Sequence, residues 1–504
     1  MNIALLLDLI ADTFGDRVAL TDASGSLTYE ELRDLARSVA AQLADEGSAT
    51  LAYADVTSAA VPAALFGAAW AGAAYAPLNF RLPSASIRAQ LDRLDRPHRV
   101  ASGPLAAELG EPAPHESTAW LDRARTTTAE GIDGYAPEPE QPAVILFTSG
   151  STGTPKAALL THENLLSYIL ETVEFAAADE DEARVLAAPP FHIAGVAAVL
   201  SSVYSGRRIL PLPTFTPEAW LDTARTHGAT HAFLVPTMLA RIVRTMQADP
   251  SLRVPTLRSI SYGGARMAAP ILEAALELFP DVNFVNAYGL TETSSTIAVL
   301  GPDDHRDALA SDDPVLRRRL ESVGRPLPGV EVGVVDEDDA EVPTGGRGFI
   351  RVRGPQVSGT YLDSESGVDD AGWLVTGDVG SLDADGYLYV EGRADDVIIK
   401  GGENLSPSEI EDTLLRHHAV AAAVVVGVPH PEWGESVAAW IVVDDARGAD
   451  ATAEDLAEWV RDHLGSLKTP SHVELVDELP QTATGKVLRR VVRDRLAESL
   501  DPQG

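Results

Sequence analysis

The feature that most constrains the fold is a regular alternation of short apolar runs and amphipathic stretches between Ala143 and about Glu292. Apolar runs such as AVILF and HAFLVP have the length of strands, and the stretches between them repeat at helical spacing. One such stretch, TPEAWLDTARTHG, has Thr216 in the N-cap position, Pro217 in the first turn and Gly228 as a stop signal. Alternating strands and helices predict parallel sheets covered by helices, with the ligand site at the carboxyl ends of the strands.

The pattern changes after Gly324, where Gly- and Pro-punctuated runs such as GFIRVRG and GYLYVEGR predict a small β-barrel or sheet. A final unit from about Asp395 combines the helix SPSEIEDTLLRHH with the strands AAAVVVGV and SVAAWIVV. Ser406 and Glu409 have the spacing of a capping box at the start of that helix. This last unit is therefore predicted to be a compact α+β domain.

At 504 residues the chain is too long for one ordinary core. We predict an α/β protein in two parts. A large N-terminal domain (1–394) consists of helix-covered β-sheets plus a small β-barrel. A mobile α+β C-terminal domain (395–504) follows it.

Composition narrows the class of function. The formal net charge of -36 argues against a nucleic-acid partner, because such binding needs clustered Lys and Arg to neutralise phosphates. No cysteine is present, so disulfides, zinc-thiolate sites and a cysteine nucleophile are excluded, and any thiol chemistry must use a thiol of the substrate. We expect a cytoplasmic protein without a membrane span or signal peptide, since the N-terminal apolar run is short and interrupted by Asp8.

One loop, FTSGSTGTPKAALLTHENL, follows a predicted strand and combines glycines, hydroxyls and a lysine. Free backbone N–H groups, hydroxyls and a cation suit phosphate. The spacing Gly150, Gly153, Lys156 is not that of a Walker A loop, and Ala157 stands where that motif needs Ser or Thr. On its own this loop is equally compatible with a Ser- and Gly-rich surface turn.

Four further stretches carry chemistry of the same kind: NAYGLTET (286–293), VTGDVG (375–380), EGRADDVIIKGGENLSPSEIE (391–411) and TATGKVLRR (482–490). The first brings together an aromatic ring, hydroxyls and a carboxylate that suit a base, a phosphate and Mg²⁺. The second offers Asp378 as an acceptor for two ribose hydroxyls. Each could be an ordinary turn, but five such motifs in this order favour a nucleotide site.

With these motifs the sequence resembles the adenylate-forming superfamily of acyl-CoA synthetases, firefly luciferases and the adenylation domains of nonribosomal peptide synthetases. The resemblance covers nearly the whole chain, from LTYEEL (27–32) and AAWAGAAYAPLNFRLP (68–83) to the lysine near the C-terminus. It implies that a carboxylate reacts with ATP to give acyl-AMP and pyrophosphate, and that the acyl group then passes to a thiol. ATP, Mg²⁺ and CoA as co-substrate are implied with it.

The resemblance also implies roles for individual residues. The β- and γ-phosphates would be surrounded by Thr148, Ser149, Gly150, Ser151, Thr152, Gly153 and Lys156. Adenine and ribose would be held by Gly263, Gly264, Ala265, Asn286, Ala287, Tyr288, Gly289, Asp378 and Arg393. Thr291 would bond the α-phosphate, and Glu292 would hold Mg²⁺.

The resemblance makes Lys486 the lysine that bridges the substrate carboxylate and the α-phosphate. The thiol must later reach the same carbonyl, and the resemblance implies that the C-terminal domain swings about a hinge, which the alignment of GRADDVI places at Asp395. That motion would bring in the loop Lys400, Gly401 and Gly402, whose glycines would let a pantetheine arm pass close to the backbone. The alternative is a plain turn with a solvated lysine.

His192 in PPFHIAG is the discriminator for the substrate and joins Lys486, Thr291 and Glu292 as a catalytic candidate. Amino-acid-activating relatives usually carry an aspartate there, so an apolar acid (fatty, aryl or polycyclic) is expected. Small residues after His192, with Gly263, Ala265, Ala287 and Gly289, could leave a roomy pocket or reflect helix packing. Arg266 could contact a dicarboxylate or lie at the surface.

The expected activity is that of an acyl-CoA ligase, and the stretch HPEWGE fits that branch. One alternative is a stand-alone acyl-AMP ligase that loads a carrier protein. A luciferase-like oxygenase would use the same adenylation, and a nucleotide-binding regulator that has lost catalysis is the non-enzyme alternative. The expected partners are a small carboxylic acid, ATP and CoA, with a carrier protein or a second copy of the chain as further options.

Overall fold

The computed structural model describes residues 1–110, 113–127, 139–148, 155–363, 366–444, 451–482 and 487–500. Within them the helices are α1 (Ala4–Phe14), α2 (Tyr29–Glu46), α3 (Ala60–Trp70), α4 (Ser84–Leu91), α5 (Gly103–Leu109), α6 (Ser117–Thr126), α7 (His162–Thr172), α8 (Ile193–Ser205), α9 (Pro217–Thr226), α10 (Pro236–Ala248), α11 (Ala269–Leu278), α12 (Pro302–Ala310), α13 (Pro314–Arg317), α14 (Pro407–Leu415), α15 (Ala453–Leu464) and α16 (Arg489–Leu500).

The strands are β1 (Val18–Asp22), β2 (Gly25–Thr28), β3 (Thr50–Ala54), β4 (Ala74–Pro77), β5 (Pro97–Ala101), β6 (His115–Glu116), β7 (Pro142–Thr148), β8 (Lys156–Thr161), β9 (Ala183–Leu186), β10 (Arg208–Pro211), β11 (His231–Leu234), β12 (Ser259–Gly263), β13 (Asn283–Leu290), β14 (Ser295–Leu300), β15 (Arg325–Pro326), β16 (Glu331–Val335), β17 (Gly348–Arg353), β18 (Leu374–Leu382), β19 (Leu388–Arg393), β20 (Ile398–Lys400), β21 (Glu403–Leu405), β22 (Val420–His430), β23 (Gly434–Val443) and β24 (His472–Leu475).

Two large sheets, parallel except at their edges, form the N-terminal part, as the alternating pattern predicts. One has the strand order β6-β5-β3-β4-β7-β8, and the other β15-β14-β13-β12-β11-β9-β10-β1-β2. A core of helices and sheet faces lies between them. Every residue of α3 is buried, which explains why this helix is apolar on all sides. The mixed α/β class predicted from the sequence is confirmed.

Local capping signals account for several helix starts. Thr28 and Glu31 form a capping box at α2, and Thr161 caps α7. Thr216 accepts a hydrogen bond from the backbone N–H of Ala219, and α9 begins at Pro217 as predicted.

The Gly- and Pro-punctuated region forms an antiparallel sheet of four strands in the order β16-β17-β18-β19. Its inner face packs on β14, where Ile297 and Ala298 contact the cluster that contains Ile350, Val352 and Leu388. This packing places the turn of Asp378 in β18 beside the end of β13.

The C-terminal unit has a five-stranded sheet of β20 to β24, covered by α14 and α15 on one face and by α16 on the other. The capping box predicted for α14 is wrong: the Ser406 side chain makes no cap hydrogen bond. Glu409 is instead held by Lys468, whose Nζ donates to its Oε1 and Oε2 at 2.7 and 2.6 Å. A charged partner 59 residues away has displaced the local interaction. No helix among the described residues is long and apolar enough to cross a membrane.

Candidate active site

The glycine- and hydroxyl-rich loop connects two antiparallel strands. β7 before it and β8 after it pair directly, with Thr148 opposite Lys156 at the mouth of the loop. The sequence pattern predicted α7 as the next element and missed β8. The loop therefore does not lead into a helix N-terminus, and a helix dipole would not contribute to the phosphate binding predicted for it. Ser149, Gly150, Ser151, Thr152 and Gly153 lie outside the described residues.

An arginine that the sequence reasoning missed supports the base of this loop. Arg93 Nη1 donates to the carbonyl of Pro155 at 2.8 Å, and its Nε donates to Asp363 at 2.7 Å. Its guanidinium also lies 5.1 Å from the ring centroid of Phe147. The residue before Lys156 is thus tied to two other segments.

The strands β12 and β13 bring two predicted motifs together. They are parallel neighbours, and Gly263 lies opposite Ala287. A side chain at Gly263 would meet the carbonyl oxygen of Ala287 at 2.1 Å, and one at Gly289 would meet that of Ser295 at 1.7 Å. Glycine is required at both positions by the close approach of backbones.

Asp378 is the centre of the first polar cluster and is only 7% exposed. Tyr288 donates its phenolic hydrogen to Asp378 Oδ2 at 2.6 Å, and Arg393 Nη1 donates to Asp378 Oδ1 at 3.3 Å and to the carbonyl of Thr376 at 2.9 Å. Asp378 and Arg393 are register partners in β18 and β19. Because a carboxylate has about four lone-pair positions, these two partners orient Asp378 without by themselves excluding further donors.

The surroundings of the cluster shift the pKa of Tyr288. Burial, followed by the charge of Asp378, raises the pKa of Tyr288, so the phenol stays protonated and donates. Gly377 adopts φ +77°, and a side chain there would lie 2.8 Å from the Arg393 guanidinium. Glycine therefore leaves the space in which Arg393 lies against the turn.

A second polar cluster contains Glu292, Lys156 and Tyr361. The Tyr361 hydroxyl donates to Glu292 Oε1 at 2.9 Å, and Lys156 Nζ lies 5.0 Å from the Tyr361 ring centroid. Backbone bonds hold the Tyr361 segment along β8, with Leu362 N donating to the carbonyl of Ala157 at 2.9 Å. Sequence reasoning missed Tyr361, since GTYLD carries none of the glycine-lysine signals that marked the other motifs.

The two clusters are neighbours. Burial and then Glu292 raise the pKa of Tyr361, while the positive charge of Arg393 partly offsets the rise. The cluster of Lys156, Tyr361 and Glu292 therefore lies within electrostatic range of Arg393, the ion-pair partner of Asp378. Together the two clusters offer cationic, phenolic and carboxylate groups, which suit a ligand that carries both phosphates and hydroxyls.

Thr291 and Glu292 lie in a strained turn directly after β13. Ser294 and Ser295 adopt φ values of +53° and +115°, which non-glycine residues seldom do. The buried amide of Gln356 holds this turn by donating to the carbonyls of Thr293 and Thr296. Such strain is typical of turns whose side chains must be presented in one direction.

Glu292 is the residue that the sequence predicts as a metal ligand, and it lies within the described residues. Its carboxylate is half-buried, and no ion pair in the described part of the chain joins it to a basic side chain. Carboxylate oxygen is the ligand that Mg²⁺ prefers, and the Tyr361 hydrogen bond fixes the orientation of the group. These residues fit a magnesium ion, which Glu292 would hold and whose positive charge would act on phosphates.

His192 lies at the N-cap of α8, and its ring centroid is 4.9 Å from that of Phe191. Phe191 in turn packs edge-on against Phe80 at 5.7 Å. A side chain at Gly195 would meet the carbonyl of Pro189 at 2.4 Å. For Gly195, Gly263 and Gly289 the structure therefore supports the packing interpretation, and their small size is no evidence for a large pocket.

Asn286 has a partner within the protein, whereas the predicted residues Gly264 and Ala265 lie in a turn. Asn286 Nδ2 donates to the carbonyl of Ser322 at 3.3 Å. Gly264 adopts φ +79° and, with Ala265, forms the exposed turn that follows β12. The backbone of this turn stays a candidate for contact with a base.

Arg266 is neither a lone surface residue nor placed for a substrate tail. It bridges to the C-terminal unit, where Nη2 donates to Asp412 at 2.5 Å and Nη1 donates to the carbonyl of Ser408 at 3.2 Å. Arg244 of α10 also donates to the carbonyl of Ala421. We call the contacts of Arg266 with Asp412 and Ser408 the latch.

Lys486 lies outside the described residues, but the segments on both sides of it are described. Gln481 and Thr482 line a cleft of the N-terminal part. On the other side Arg489 makes a bidentate pair with Glu411 at 2.6 and 2.7 Å. Arg493 donates to the carbonyl of the predicted hinge, Asp395, at 3.2 Å. The segment after Lys486 is thus anchored near the predicted hinge, and the segment before it lies against the N-terminal part.

Gly401 and Gly402 form the two-residue turn of the hairpin β20–β21, with φ of +61° and +85°. Lys400 Nζ donates to the carbonyl of Leu467 at 2.9 Å, and burial lowers the pKa of Lys400. A side chain at Gly401 would lie 3.0 Å from the indole of Trp433. The loop is a plain turn in this conformation, and its role toward a pantetheine arm stays a prediction.

Two family profiles match successive parts of the chain. The sequence profile of the AMP-binding enzyme family matches residues 7–362, and that of the AMP-binding enzyme C-terminal domain matches residues 409–486. A fatty acid–acyl-carrier-protein ligase, ScoC of Streptomyces coeruleorubidus, is 32% identical over 93% of this chain and 92% of its own length. A feruloyl-CoA synthase of an Amycolatopsis species is 32% identical over 95% of both chains.

Solved structures are similar over the whole length. The amide bond synthetase McbA from Marinactinospora thermotolerans has a TM-score of 0.85 at 30% identity, with 98% of this chain and 99% of that chain covered. The O-succinylbenzoate coenzyme A synthetase of Bacillus subtilis in complex with ATP and magnesium has a TM-score of 0.81 at 28% identity, with 96% and 98% covered.

Proposed function

Because the chain belongs to the AMP-binding enzyme family, whose members are ATP-dependent, adenylate-forming ligases, we propose that this protein is an acyl-CoA ligase. Its proposed substrate is an apolar carboxylic acid. The observation that carries the proposal is the pair of neighbouring polar clusters, Lys156 with Tyr361 and Glu292, and Asp378 with Tyr288 and Arg393. We propose that ATP lies with its phosphates near Lys156 and its ribose near Asp378. The chemistry then divides into two half-reactions.

In the first half-reaction a carboxylate oxygen of the acid attacks the α-phosphorus of ATP, and the bond to pyrophosphate breaks. Lys156 and the loop before it would stabilise the charge on the leaving pyrophosphate. Thr291 would bond the α-phosphate. Mg²⁺ held by Glu292 would neutralise phosphate charge. Tyr361 keeps Glu292 in one orientation, so no reorganisation of that carboxylate is needed during the step.

The ribose end of ATP would be fixed by Asp378. Tyr288 and Arg393 hold both oxygens of that carboxylate. The ring of the same Tyr288 would lie against the adenine. A bound nucleotide would therefore meet a carboxylate already in position. Lys486 is proposed to bridge the attacking carboxylate and the α-phosphate.

In the second half-reaction the sulfur of the acceptor attacks the acyl carbonyl. The new C–S bond forms, the C–O bond to AMP breaks with its electron pair, and the thiol proton passes to solvent. We propose that the C-terminal domain (395–504) turns about Asp395 between the two steps. The latch and the contacts of the segments on both sides of residues 483–486 would hold it in the orientation for the first step.

The apolar substrate class is supported by His192 and by the α8 side chains that follow it. No aspartate is available at that position to pair an ammonium, and the neighbouring rings of Phe191 and Phe80 are apolar. Fatty, aryl and polycyclic acids all fit this description.

Two other acceptors are kept because relatives are named for them. A carrier protein is the acceptor in the name of ScoC, and an amide is the product in the name of McbA. Both would share the first half-reaction with the proposed ligase.

Mass spectrometry of the products tests the proposal. The pure protein is given ATP, Mg²⁺ and a panel of fatty, aryl, dicarboxylic and polycyclic acids, with CoA, a phosphopantetheinylated carrier protein or a primary amine. An acyl-CoA product that requires CoA is expected. Acyl-AMP that accumulates with CoA but is consumed by the carrier protein or the amine would contradict the choice of acceptor. Absence of acyl-AMP in the Lys486→Ala variant serves as the control for the first step.

A further inference from the structure

Two histidines and a glutamate converge at one edge of the six-stranded sheet. His98 lies in β5, His115 begins the neighbouring edge strand β6, and Glu46 is the last residue of α2. One ligand atom from each of them can be chosen so that all three lie within 4.8 Å of one another. In the described part of the chain, no other set of three histidine or acidic side chains meets in this way. We call Glu46, His98 and His115 the edge cluster.

Nitrogen atoms of both imidazoles in the edge cluster face the same carboxylate. Nδ1 of His98 lies 2.7 Å from Oε2 of Glu46, and Nε2 of His115 lies 3.7 Å from Oε1. The two rings are stacked, with their centroids 4.6 Å apart. In a tetrahedral site with metal–ligand distances of about 2.0–2.2 Å, neighbouring ligand atoms are about 3.3–3.6 Å apart. Small movements of the side chains would therefore bring all three ligand atoms to one ion.

Regular backbone holds the three residues in place. The strands of His98 and His115 pair in parallel, β5 with β6, and β5 also pairs with β3. Arg96, at the start of β5, donates from Nη1 to the carbonyl of Gly47 at 2.7 Å and so ties the end of α2 to this strand. Ligands on helices and strands are positioned more precisely than ligands on loops. Only side chains would have to move when an ion binds.

Burial divides the edge cluster into one fixed ligand and two accessible ones. The side chain of His98 is 1% exposed, whereas those of Glu46 and His115 are 48% and 37% exposed. Nε2 of His98 is buried and has no hydrogen-bond partner among the residues that the structure describes. A partner there would fix which nitrogen carries the proton, and without one Nδ1 can present its lone pair. An ion would enter from the solvent side, past Glu46 and His115.

One neighbour opposes metal binding in this conformation. Arg123 Nη2 donates to Nδ1 of His115 at 2.9 Å, so neutral His115 carries its proton on Nε2, the nitrogen that faces Glu46. A metal on Nε2 requires the other tautomer, whose Nδ1–H a guanidinium cannot accept. Arg123 is exposed, and its side chain can turn toward solvent. We therefore expect Arg123 to weaken metal binding without preventing it.

A second group of histidines shows that close imidazoles alone do not make such a site. His417 and His463 pack on Trp459, with ring centroids 5.1 and 4.1 Å from that of the indole. Nδ1 of His463 bonds to the carbonyl of Trp459 at 2.8 Å, and Nδ1 of His417 accepts from the backbone N–H of Ala419 at 3.3 Å. Among the described residues no further ligand atoms complete this group. Its nitrogens serve packing and backbone contacts.

The donor atoms of the edge cluster select the kind of ion. Two imidazole nitrogens and one carboxylate oxygen suit Zn²⁺ and neighbouring transition metals, whereas Mg²⁺ and Ca²⁺ prefer oxygen ligands alone. Three protein ligands leave a fourth position for water on the solvent side. The formal net charge of -36 also favours cations near the surface of this protein.

We propose that Glu46, His98 and His115 bind one divalent transition-metal ion, with Zn²⁺ as the ion that matches the ligands best. The ion joins the end of α2 to β5 and β6 and stabilises this edge of the sheet. It lies at the amino ends of the parallel strands, whereas Thr148 ends β7 at the opposite, carboxyl side of the same sheet. The ion takes no part in adenylation or acyl transfer, so its binding is tested without a substrate.

Calorimetric titration of metal-free protein with Zn²⁺ tests the inference. An excess of Mg²⁺ is present throughout, so that sites made of carboxylates alone, such as Glu292, do not contribute. Wild type is compared with Glu46→Gln, His115→Gln and the double variant, and His418→Gln removes an exposed histidine outside the cluster as the matched control. Wild type and control should bind a single Zn²⁺. Loss of a ligand should weaken binding by more than the about 10- to 100-fold that loss of an outer partner of a metal site costs.

Substitution of Arg123 should have the opposite effect. In Arg123→Gln the side-chain carbonyl can accept from Nδ1–H of His115, so Zn²⁺ should bind about tenfold more tightly than to the wild type. Arg123→Lys, which can only donate, should bind Zn²⁺ as the wild type does. This pair of variants separates the tautomer of His115 from a general effect of folding.

Two further readouts report on the ligands and on stability. Co²⁺ should give the visible absorption of a four-coordinate site in the wild type and not in His115→Gln. Zn²⁺ should raise the melting temperature of the wild type and leave that of the double variant unchanged, because an ion that binds only the folded state stabilises it. Glu46 and His115 are partly exposed, so equal melting temperatures without metal are expected and would show that the variants are folded.

Three results would overturn the inference. Saturable Zn²⁺ binding of equal affinity in wild type and double variant would place the ion elsewhere. Absence of saturable Zn²⁺ binding by the wild type would mean that the edge cluster is only a hydrogen-bonded group. Unchanged affinity in Arg123→Gln would contradict Nε2 of His115 as a ligand. None of these results depends on the proposed function, since no substrate is used.

Discussion

The nucleotide surface of the N-terminal part and the latch to the C-terminal unit are built in different ways. Asp378 is buried, and both of its oxygens are held by neighbours within one pair of packed sheets. The latch consists of polar contacts between partly exposed groups, with 35% of the Arg266 side chain and 15% of the Asp412 side chain exposed. The first arrangement is rigid, and the second can be broken by water.

The difference matches the roles proposed for the two regions. A surface that is proposed to bind ATP would gain from groups that need no reorganisation when charge moves to pyrophosphate. A contact that is proposed to open once in every catalytic cycle should be weak, and exposed ion pairs contribute only about 0–1 kcal/mol. We therefore expect substitutions on the nucleotide surface to have large effects on one half-reaction. Substitutions at the latch should have small effects that differ between the two.

The largest effect is expected at Asp378. Asp378→Asn removes the charge that accepts from Arg393 and would accept from ribose, and hydrogen bonds to charged groups contribute about 1.5–3 kcal/mol each. Pyrophosphate release measured at saturating acid should fall by about 100-fold or more in kcat/KM for ATP. Tyr288→Phe, which leaves the carboxylate in place, should lose much less. Equal losses in the two variants would contradict the central position of Asp378.

A smaller effect is expected at Tyr361, which contacts Glu292 through one hydrogen bond. Tyr361→Phe should reduce the rate of acyl-AMP formation by about tenfold and raise the Mg²⁺ concentration needed for half-maximal rate. Titration of the rate with Mg²⁺ checks this. If only the KM for the acid changes, Tyr361 acts on the acid and not on the metal ligand.

At the latch we expect substitutions to change the rates of the two half-reactions differently. Arg266→Gln should slow pyrophosphate release by about threefold, since an exposed pair is worth less than 1 kcal/mol. Transfer from pre-formed acyl-AMP to CoA should be as fast as in the wild type or faster. Asp412→Asn should behave alike, and the double variant should not be slower than either single one, because both remove the same contact. Arg253→Gln, which removes another exposed arginine, is the matched control.

The free energy of unfolding should fall at acid pH, and this effect should differ least between the two regions. Burial lowers the pKa of His162 to about 4 and that of His231 to about 3, both in the N-terminal part. An unfolded histidine titrates near 6.5, so the unfolded chain binds more protons between about pH 6.5 and 4. Stability is therefore complete above pH 6.5 and is lost as the pH falls through this window. Denaturant unfolding at pH 7.5 and pH 5 should show a loss on the order of 2 kcal/mol for each histidine. His162→Gln should reduce that loss.

The sequence was sufficient for the features that repeat or that follow directly along the chain. The strand and helix alternation predicted the sheets, Thr216 and Pro217 predicted the start of α9, and the motifs around Asp378 and Glu292 predicted groups that the fold does bring together. Each of these depends on local spacing or on the edge shared by parallel strands.

What the sequence could not supply depends on partners far apart in the chain. Glu409 binds Lys468 instead of forming a capping box with Ser406, and Tyr361 donates a hydrogen bond to Glu292, which lies 69 residues away in the chain. Arg266 contacts Asp412 only because the N-terminal part and the C-terminal unit pack together. Gly263 and Gly289 were ambiguous until their neighbouring strands were placed, because a small residue makes room either for a ligand or for a backbone.

A cross-link across the latch tests the central claim most directly. The chain has no cysteine, so Arg266→Cys with Asp412→Cys offers a short bis-maleimide only two thiols, and each single-cysteine variant controls for modification. Single-turnover formation of acyl-AMP and its transfer to CoA are measured before and after cross-linking. The account predicts that the cross-linked protein still forms acyl-AMP but no longer transfers it. Transfer at the uncross-linked rate would contradict a C-terminal unit that must leave the orientation seen here.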